Sequence, residues 1–195
     1  MALTIYGSPR SRTMRVLWMA AELGLDFEHI PLAFDDPELK SPAFLDLNPA
    51  GAIPTIVDDG FALSESLAIN LYLARRYGGP PLYPATMEGE AQVWRWSLWA
   101  QGELEPWVMK EARLDGIAPQ AASLTARALA ALHRAIAGRD WLVGVDFSVA
   151  DLNVAAVLSP SRSEHLDLAP HPNIQAWLAR CYARPAAVAT RRRFD

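Results

Sequence analysis

Between residues 3 and 77 the apolar positions switch back and forth between strand-like and helix-like spacing, whereas beyond residue 87 they keep the three- and four-residue spacing of helices. LTIY, residues 3–6, reads as a strand, TMRVLWMAAEL as a helix stopped by Gly24, and DFEHIPL as a second strand. A loop carrying Pro37 and Pro42 leads to a short helical turn near Ala43–Leu47. In GAIPTIVDDGFALSES, residues 51–66, Ile56, Val57, Phe61 and Leu63 are the apolar positions of two strands around an Asp-Asp-Gly hairpin turn. SESLAINLYLARRY then forms a helix ended by Gly78. The order β-α-β-α-β-β-α predicts a parallel, right-handed first β-α-β and an antiparallel last pair of strands. Pro54 heads the third strand, where proline cannot donate a ladder hydrogen bond, and this raises the question of what pairs with Ile53 before it.

GGPPLYPAT, residues 78–86, breaks the pattern with three prolines and two glycines and reads as a linker. Helical signals follow from Met87 to about Ile117 with a bend at Pro106, then from about Gln120 to Ala137, Val149 to Leu158 and Pro172 to Ala183. Ser148 stands three residues before Asp151 ahead of an apolar run, a capping-box spacing with Asp in place of Glu and a structural role. The expectation is an α+β domain over residues 1–78, a linker over 79–86 and an all-α domain over 87–195.

Composition narrows the function classes. No apolar run approaches the roughly 18 residues of a membrane span, and MALTIYGSPR lacks the basic start of a signal peptide, so the mature chain is expected to begin at Met1 or Ala2. Cys181 is the single cysteine, which excludes an internal disulfide framework and a CxxC redox pair and fits a reducing cytoplasm. The four histidines, His29, His133, His165 and His171, show no ligand spacing, so no metal is expected. A net charge of −4 argues against a nucleic-acid binder, with Arg191, Arg192 and Arg193 read as a solvated helix end.

The thioredoxin-like first half, the proline-rich linker and the helical second half together resemble the cytosolic glutathione transferases. NPAGAIPTIVDDGFALSESLAINLYLARRY and WLVGVDFSVADLNVAAVL carry the resemblance most specifically, and it covers nearly the whole chain. It implies glutathione as co-substrate and answers the question about Ile53. In that family the proline after the strand entry is cis, and the residue before it offers its backbone N–H and C=O to the cysteinyl backbone of glutathione, a one-residue strand addition. Ile53 and Pro54 match those positions. Glu65 and Ser66 resemble the family's acid-serine pair at a helix start, with Glu65 facing the tripeptide's α-amino group and the helix mouth and Ser66 its γ-glutamyl carboxylate. Ser64 as a plain cap and Glu65 as a dipole partner is the structural alternative. Lys40 resembles the basic residue that meets the glycyl carboxylate in some classes, while Ala52 departs from members with a polar residue there.

Catalysis in this family needs the thiolate of glutathione. In YGSPRSRTMR, Ser11 opens the first helix four residues before Arg15 and resembles the serine that donates to sulfur in the serine-type classes. Ser8, read as a turn former before Pro9, and Arg12 are the alternatives; Tyr6 lies on the strand with too short a spacing to Arg15. The turn contains no cysteine, which weighs against mixed-disulfide chemistry. Trp94, Trp96, Trp99 and Trp107 lie on the first helix of the second half, where a tryptophan stripe is more often core or interface. The resemblance implies an apolar electrophile pocket, for which Trp99, Trp107 and Met109 are the candidates, and a two-fold homodimer. Two further readings keep the same fold: a glutathione-dependent isomerase or dehalogenase, and a non-catalytic interaction module.

Overall fold

The structure, a computed structural model, describes residues 2–111 and 119–194. The chain divides into two compact units, residues 1–78 with 184–195 and residues 79–183.

In the first unit β1 (Leu3–Tyr6) leads into α1 (Thr13–Glu22) and back to β2 (Glu28–Ile30). A 3-10 turn over Pro37–Lys40 and α2 (Pro42–Leu47) precede β3 (Thr55–Asp58), β4 (Phe61–Ser64) and α3 (Ser66–Leu73), which widens into a π-helical turn over Ala74–Gly78. The strands form one sheet in the order β2-β1-β3-β4. β1 and β2 are parallel, with Ile5 opposite His29, while β3 runs antiparallel to both β1 and β4. This is the expected thioredoxin-like arrangement. Alternation along β1 buries Leu3 and Ile5, and Ile56 of β3 is paired with Ile5, so the sheet's apolar positions meet the buried stripe of α1, Val16, Leu17, Met19 and Ala20. β2 is shorter than the seven-residue strand read from DFEHIPL, since only Glu28–Ile30 keep pairing with β1.

The last helix, α10 (Pro185–Phe194), belongs to this unit and packs on α1, whereas the sequence placed everything after residue 87 in the second domain. A side-chain pairing that no local pattern announces explains the difference. Arg184 clamps Glu22 at the end of α1 through Nε and Nη2, both at 2.8 Å, and Trp18 Nε1 donates to the same carboxylate at 3.0 Å. At the tip, Arg193 lies over the ring of Phe27.

Among the described residues the regular elements of the second unit are all helical: α4 (Met87–Trp99), α5 (Glu105–Glu111), α6 (Pro119–Ala135), α7 (Val149–Val157), α8 (Pro160–Ser163) and α9 (Pro172–Tyr182). Every residue of α7 is buried, and its Asn153 donates to Ser97 Oγ of α4 at 2.9 Å. The break expected at Pro106 is spread over a π-helical turn, Ala100–Leu104, just before it. Proline lacks the N–H that would reach the carbonyl of Gly102, and the wider turn absorbs the lost bond. The stretch of that helix from 112 to Ile117 lies outside the described residues. Residues 79–86, read as a linker, are fastened to this unit: Leu82 C=O accepts from Val149 N–H at 2.9 Å, and Tyr83 donates to Glu90 at 2.6 Å. Cys181 is fully buried in α9.

Candidate functional site

The turn between β1 and α1 is built around one glycine. Gly7 has φ of 130°, and a Cβ there would overlap Thr13 Oγ1 and come within 2.9 Å of Ile53 Cβ. The glycine therefore lets the first turn of α1 and the loop before β3 close on the end of β1. Ser8 C=O accepts from Ser11 N–H at 3.0 Å and from Ser11 Oγ at 2.6 Å, while Thr13 N–H donates to Ser11 Oγ at 3.0 Å. Ser11 is half-buried at the mouth of the helix. Ser8 serves the turn, its own Oγ accepting from Arg10 N–H at 3.3 Å. Arg12 occupies the N-cap position of α1 and is exposed. Tyr6 packs edge-on against Phe44, ring centroids 5.7 Å apart, in the apolar cluster beneath the loop.

That same cluster, Leu32, Leu39, Phe44 and Ile53, buries the Ile53 side chain. The Ile53–Pro54 peptide bond is cis, and the Ile53 N–H and C=O make no hydrogen bond among the described residues. Asn48 fixes the approach to this point, its Nδ2 donating to Ala52 C=O at 2.9 Å and to Thr55 Oγ1 at 3.0 Å. Lys40 ends the 3-10 turn, exposed, next to the buried Leu39. Gly51 sits against that turn, so close that a Cβ would stand 2.8 Å from Leu39 C=O.

α3 begins without a side-chain cap. Glu65 holds the N-cap position at φ 70° and ψ 106°, a left-handed backbone that costs a non-glycine residue on the order of 1–3 kcal/mol. Its side chain is exposed, whereas Ser66 is 2% exposed. Arg15, buried on α1, donates from Nη1 to Ser66 Oγ at 3.3 Å, so Ser66 accepts there and keeps its own hydrogen to donate. The sequence signal for Arg15 is an arginine on the mostly apolar buried face of α1. The unit thus gathers four segments at one end of its sheet: a serine on a helix mouth, the Ile53 peptide, a turn that ends in Lys40 and a helix start without a side-chain cap.

Trp99 and Trp107 are half-buried on α4 and α5, as is Met109. Trp96 is buried and meets Trp99 edge-on, centroids 5.3 Å apart, so that part of the tryptophan stripe is core, whereas Trp94 is exposed and donates from Nε1 to Tyr83 at 3.0 Å.

Two histidines far apart in sequence do meet: the rings of His133 and His171 are 5.5 Å between centroids. Burial, and next the charge of His133, hold the His171 pKa below its ordinary value against the opposing pull of Asp167. On the other unit, Asp58 is buried and accepts from Tyr72 at 2.7 Å and from Tyr77 at 2.7 Å, with Arg76 Nε 3.1 Å away. Burial and the bond to Asp58 push Tyr72 up to about 12. This is a structural knot holding the β3–β4 turn to the end of α3.

The family model of the glutathione S-transferase N-terminal domain matches residues 1–75, and that of the C-terminal domain matches residues 98–185. The chain belongs to the glutathione transferase family. Glutathione S-transferase 3 of Zea mays is 35% identical to it, over 94% of this chain and 90% of the relative. Of solved structures, the glutathione S-transferase of Xanthobacter autotrophicus is 30% identical, with a TM-score of 0.82 and 94% of each chain covered. A delta-class glutathione transferase of Nilaparvata lugens is 27% identical, with a TM-score of 0.86 over 98% of this chain and 96% of the other. As a glutathione transferase the chain is an enzyme with glutathione as its substrate. No helix among its described residues is long and apolar enough to cross a membrane.

Proposed function

We propose that this transferase binds glutathione along the end of the first unit's sheet and that Ser11 donates a hydrogen bond to the thiolate. The observation that carries the reading is the common location of three unlike features: the Ser11 hydroxyl, the Ile53 peptide and the uncapped start of α3. Each suits a different part of one tripeptide. The Ile53 N–H and C=O pair with the cysteinyl backbone across the Ile53–Pro54 step. The first-turn N–H groups of α3 and the Ser66 hydroxyl receive the γ-glutamyl carboxylate, and Glu65 meets the α-amino group. Lys40 reaches the glycyl carboxylate as an exposed and therefore weak partner.

The chemical step begins when the bound thiol gives its proton to water. A free thiol has a pKa near 8.5, and lowering it by about two units requires about 2.7 kcal/mol of preference for the thiolate. A hydrogen bond to a charged group contributes roughly 1.5–3 kcal/mol, so one well-placed hydroxyl supplies most of it. Ser8 is the alternative donor: its Oγ accepts from Arg10 N–H and keeps a hydrogen to give. Arg12, exposed at the helix mouth, adds positive charge near the sulfur. The thiolate attacks an electrophilic carbon, a C–S bond forms, and the bond to the leaving group breaks with its electron pair. Trp99, Trp107 and Met109, half-buried on the second unit, are its candidates for contact with an apolar electrophile. The working form is a cytoplasmic homodimer engaged in detoxification.

Ultraviolet titration of bound thiolate tests the assignment. Ser11→Ala should raise the apparent thiol pKa by about one to two units, while Ser8→Ala leaves it within a few tenths. An unchanged thiol pKa in Ser11→Ala would remove Ser11 from the role. Light scattering that finds only a single-chain species at micromolar concentration would refute the dimer.

A further inference from the structure

Ser11 does not stand alone at the helix mouth. Its Oγ lies 2.8 Å from Thr13 Oγ1, and Thr13 is fully buried although it bears a hydroxyl on the first turn of α1. The geometry fixes which of the two donates. Ser11 Oγ is 2.6 Å from Ser8 C=O, and a carbonyl can only accept, so the Ser11 hydrogen points there and the Thr13 hydroxyl is left to donate to Ser11. Thr13 N–H donates to the same oxygen at 3.0 Å. The Ser11 oxygen thus accepts twice from one residue and has one hydrogen of its own to give. Gly7 provides the space: the Thr13 hydroxyl occupies the volume that a side chain at position 7 would take.

We infer that Thr13 is a positioning residue for the reaction, its buried hydroxyl filling an acceptor site of the Ser11 oxygen so that Ser11 meets the glutathione sulfur as a donor, and strengthening that donation. The inference rests on the Ser11 reading above and extends it one residue inward. Two donors on an oxygen polarise its remaining O–H, and each hydrogen bond in such a chain strengthens the next by roughly 10–30%. Without the Thr13 donor, the Ser11 oxygen regains an open acceptor site and its hydrogen is less strongly directed. When glutathione binds, the charged sulfur competes with the neutral Ser8 carbonyl for the Ser11 hydrogen and wins it, since hydrogen bonds to ions are the stronger. No covalent bond to Ser11 or Thr13 forms or breaks in this exchange; the thiol proton has left to water, and the Ser11 hydrogen changes acceptor.

The test titrates bound thiolate in wild type, Ser11→Ala, Thr13→Val, Thr13→Ala and Thr13→Ser, with steady-state kinetics in parallel. Thr13→Val, close in shape but lacking the hydroxyl, is expected to raise the bound thiol pKa by about half a unit, equal to a kcat about threefold lower on the acid side and recovering as pH rises. KM for glutathione should stay within about twofold, because Thr13 is expected to touch no part of the ligand. Thr13→Ser should restore the wild-type profile. A wild-type thiol pKa in Thr13→Val, with Ser11→Ala raised, overturns the inference while leaving the Ser11 assignment intact. An unchanged pKa in Ser11→Ala removes both. If Thr13→Val and Thr13→Ala lose glutathione binding outright while Thr13→Ser keeps it, the hydroxyl builds the turn instead of directing the Ser11 hydrogen, and the inference also fails.

Discussion

Helices α3 and α7 both start at a serine paired with an acid, yet one start is closed and the other open. At α7, Ser148 and Asp151 complete the reciprocal box. Asp151 accepts from Ser148 N–H and Oγ at 3.0 Å each, from Leu142 N–H at 2.8 Å and from Trp177 Nε1 at 2.9 Å. Burial raises the Asp151 pKa, and those four donors pull against it. At α3, Glu65 is turned outward on a left-handed backbone and caps nothing. The chain closes one helix mouth with the Ser148–Asp151 box and the Leu82 C=O on Val149 N–H, and starts the other on a costly backbone conformation with no side-chain cap. A closed mouth contributes stability, whereas an open one can contribute binding.

Four substitutions sharpen or break this contrast. Asp151→Ala should have the largest effect on folding, since it strands four donors in a buried site; the second unit should lose on the order of 3 kcal/mol or more in chemical denaturation. A loss under about 1 kcal/mol would mean that water replaces the carboxylate and that the closed mouth is not structural. Ser66→Ala should weaken glutathione binding by roughly tenfold or more, as a lost hydrogen bond to a carboxylate. It also takes an acceptor from Arg15, so a stability loss of about 1 kcal/mol should accompany it.

Glu65→Gly separates strain from function. Glycine accepts φ of 70° without penalty, so melting temperature should hold or rise, while glutathione affinity falls by about two- to fivefold with the loss of an exposed charge pair. If affinity is unchanged, the strain at Glu65 has no bearing on the ligand.

The smallest effect concerns a third helix mouth, at His171 before α9, whose side chain makes no cap either. Its pKa is lowered in the folded chain, chiefly by burial and then by His133, so the unfolded chain binds the proton more readily. Stability is therefore lost as pH falls below about 6.5 toward the lowered folded value and is regained as pH rises. His171→Gln should flatten that acid limb in a denaturation series across pH 5–7. The groups facing His171 are His133 and Asp167, and an unaltered limb would mean that His171 does not carry the acid sensitivity.

Much of the fold was legible because its signals are local. The Asp-Asp-Gly turn, the stop at Gly24 and the box at Ser148 each depend on residues within a few positions, and the structure has β3 and β4 antiparallel, α1 ending before Gly24 and the box formed. What escaped depends on partners distant in sequence. Arg184 reaches Glu22 and so brings α10 to the first unit, His133 meets His171, and Arg15 meets Ser66 across α1 and α3. The two π-helical turns, at Ala74–Gly78 and Ala100–Leu104, leave no mark on apolar spacing over so few residues. At the site, resemblance pointed to Ser11, Ile53, Glu65 and Ser66, but no pattern pointed to Thr13, because a buried hydroxyl in an apolar helix looks like any first-turn threonine.

Calorimetric titration of glutathione into wild type and Ser66→Ala, with the melting temperature of each measured alongside, tests the open helix mouth most directly. The account predicts saturable binding by wild type and an affinity roughly tenfold or more lower in Ser66→Ala, with the variant still folded. Equal affinities in the two proteins, or no saturable binding by wild type at millimolar glutathione, would contradict it.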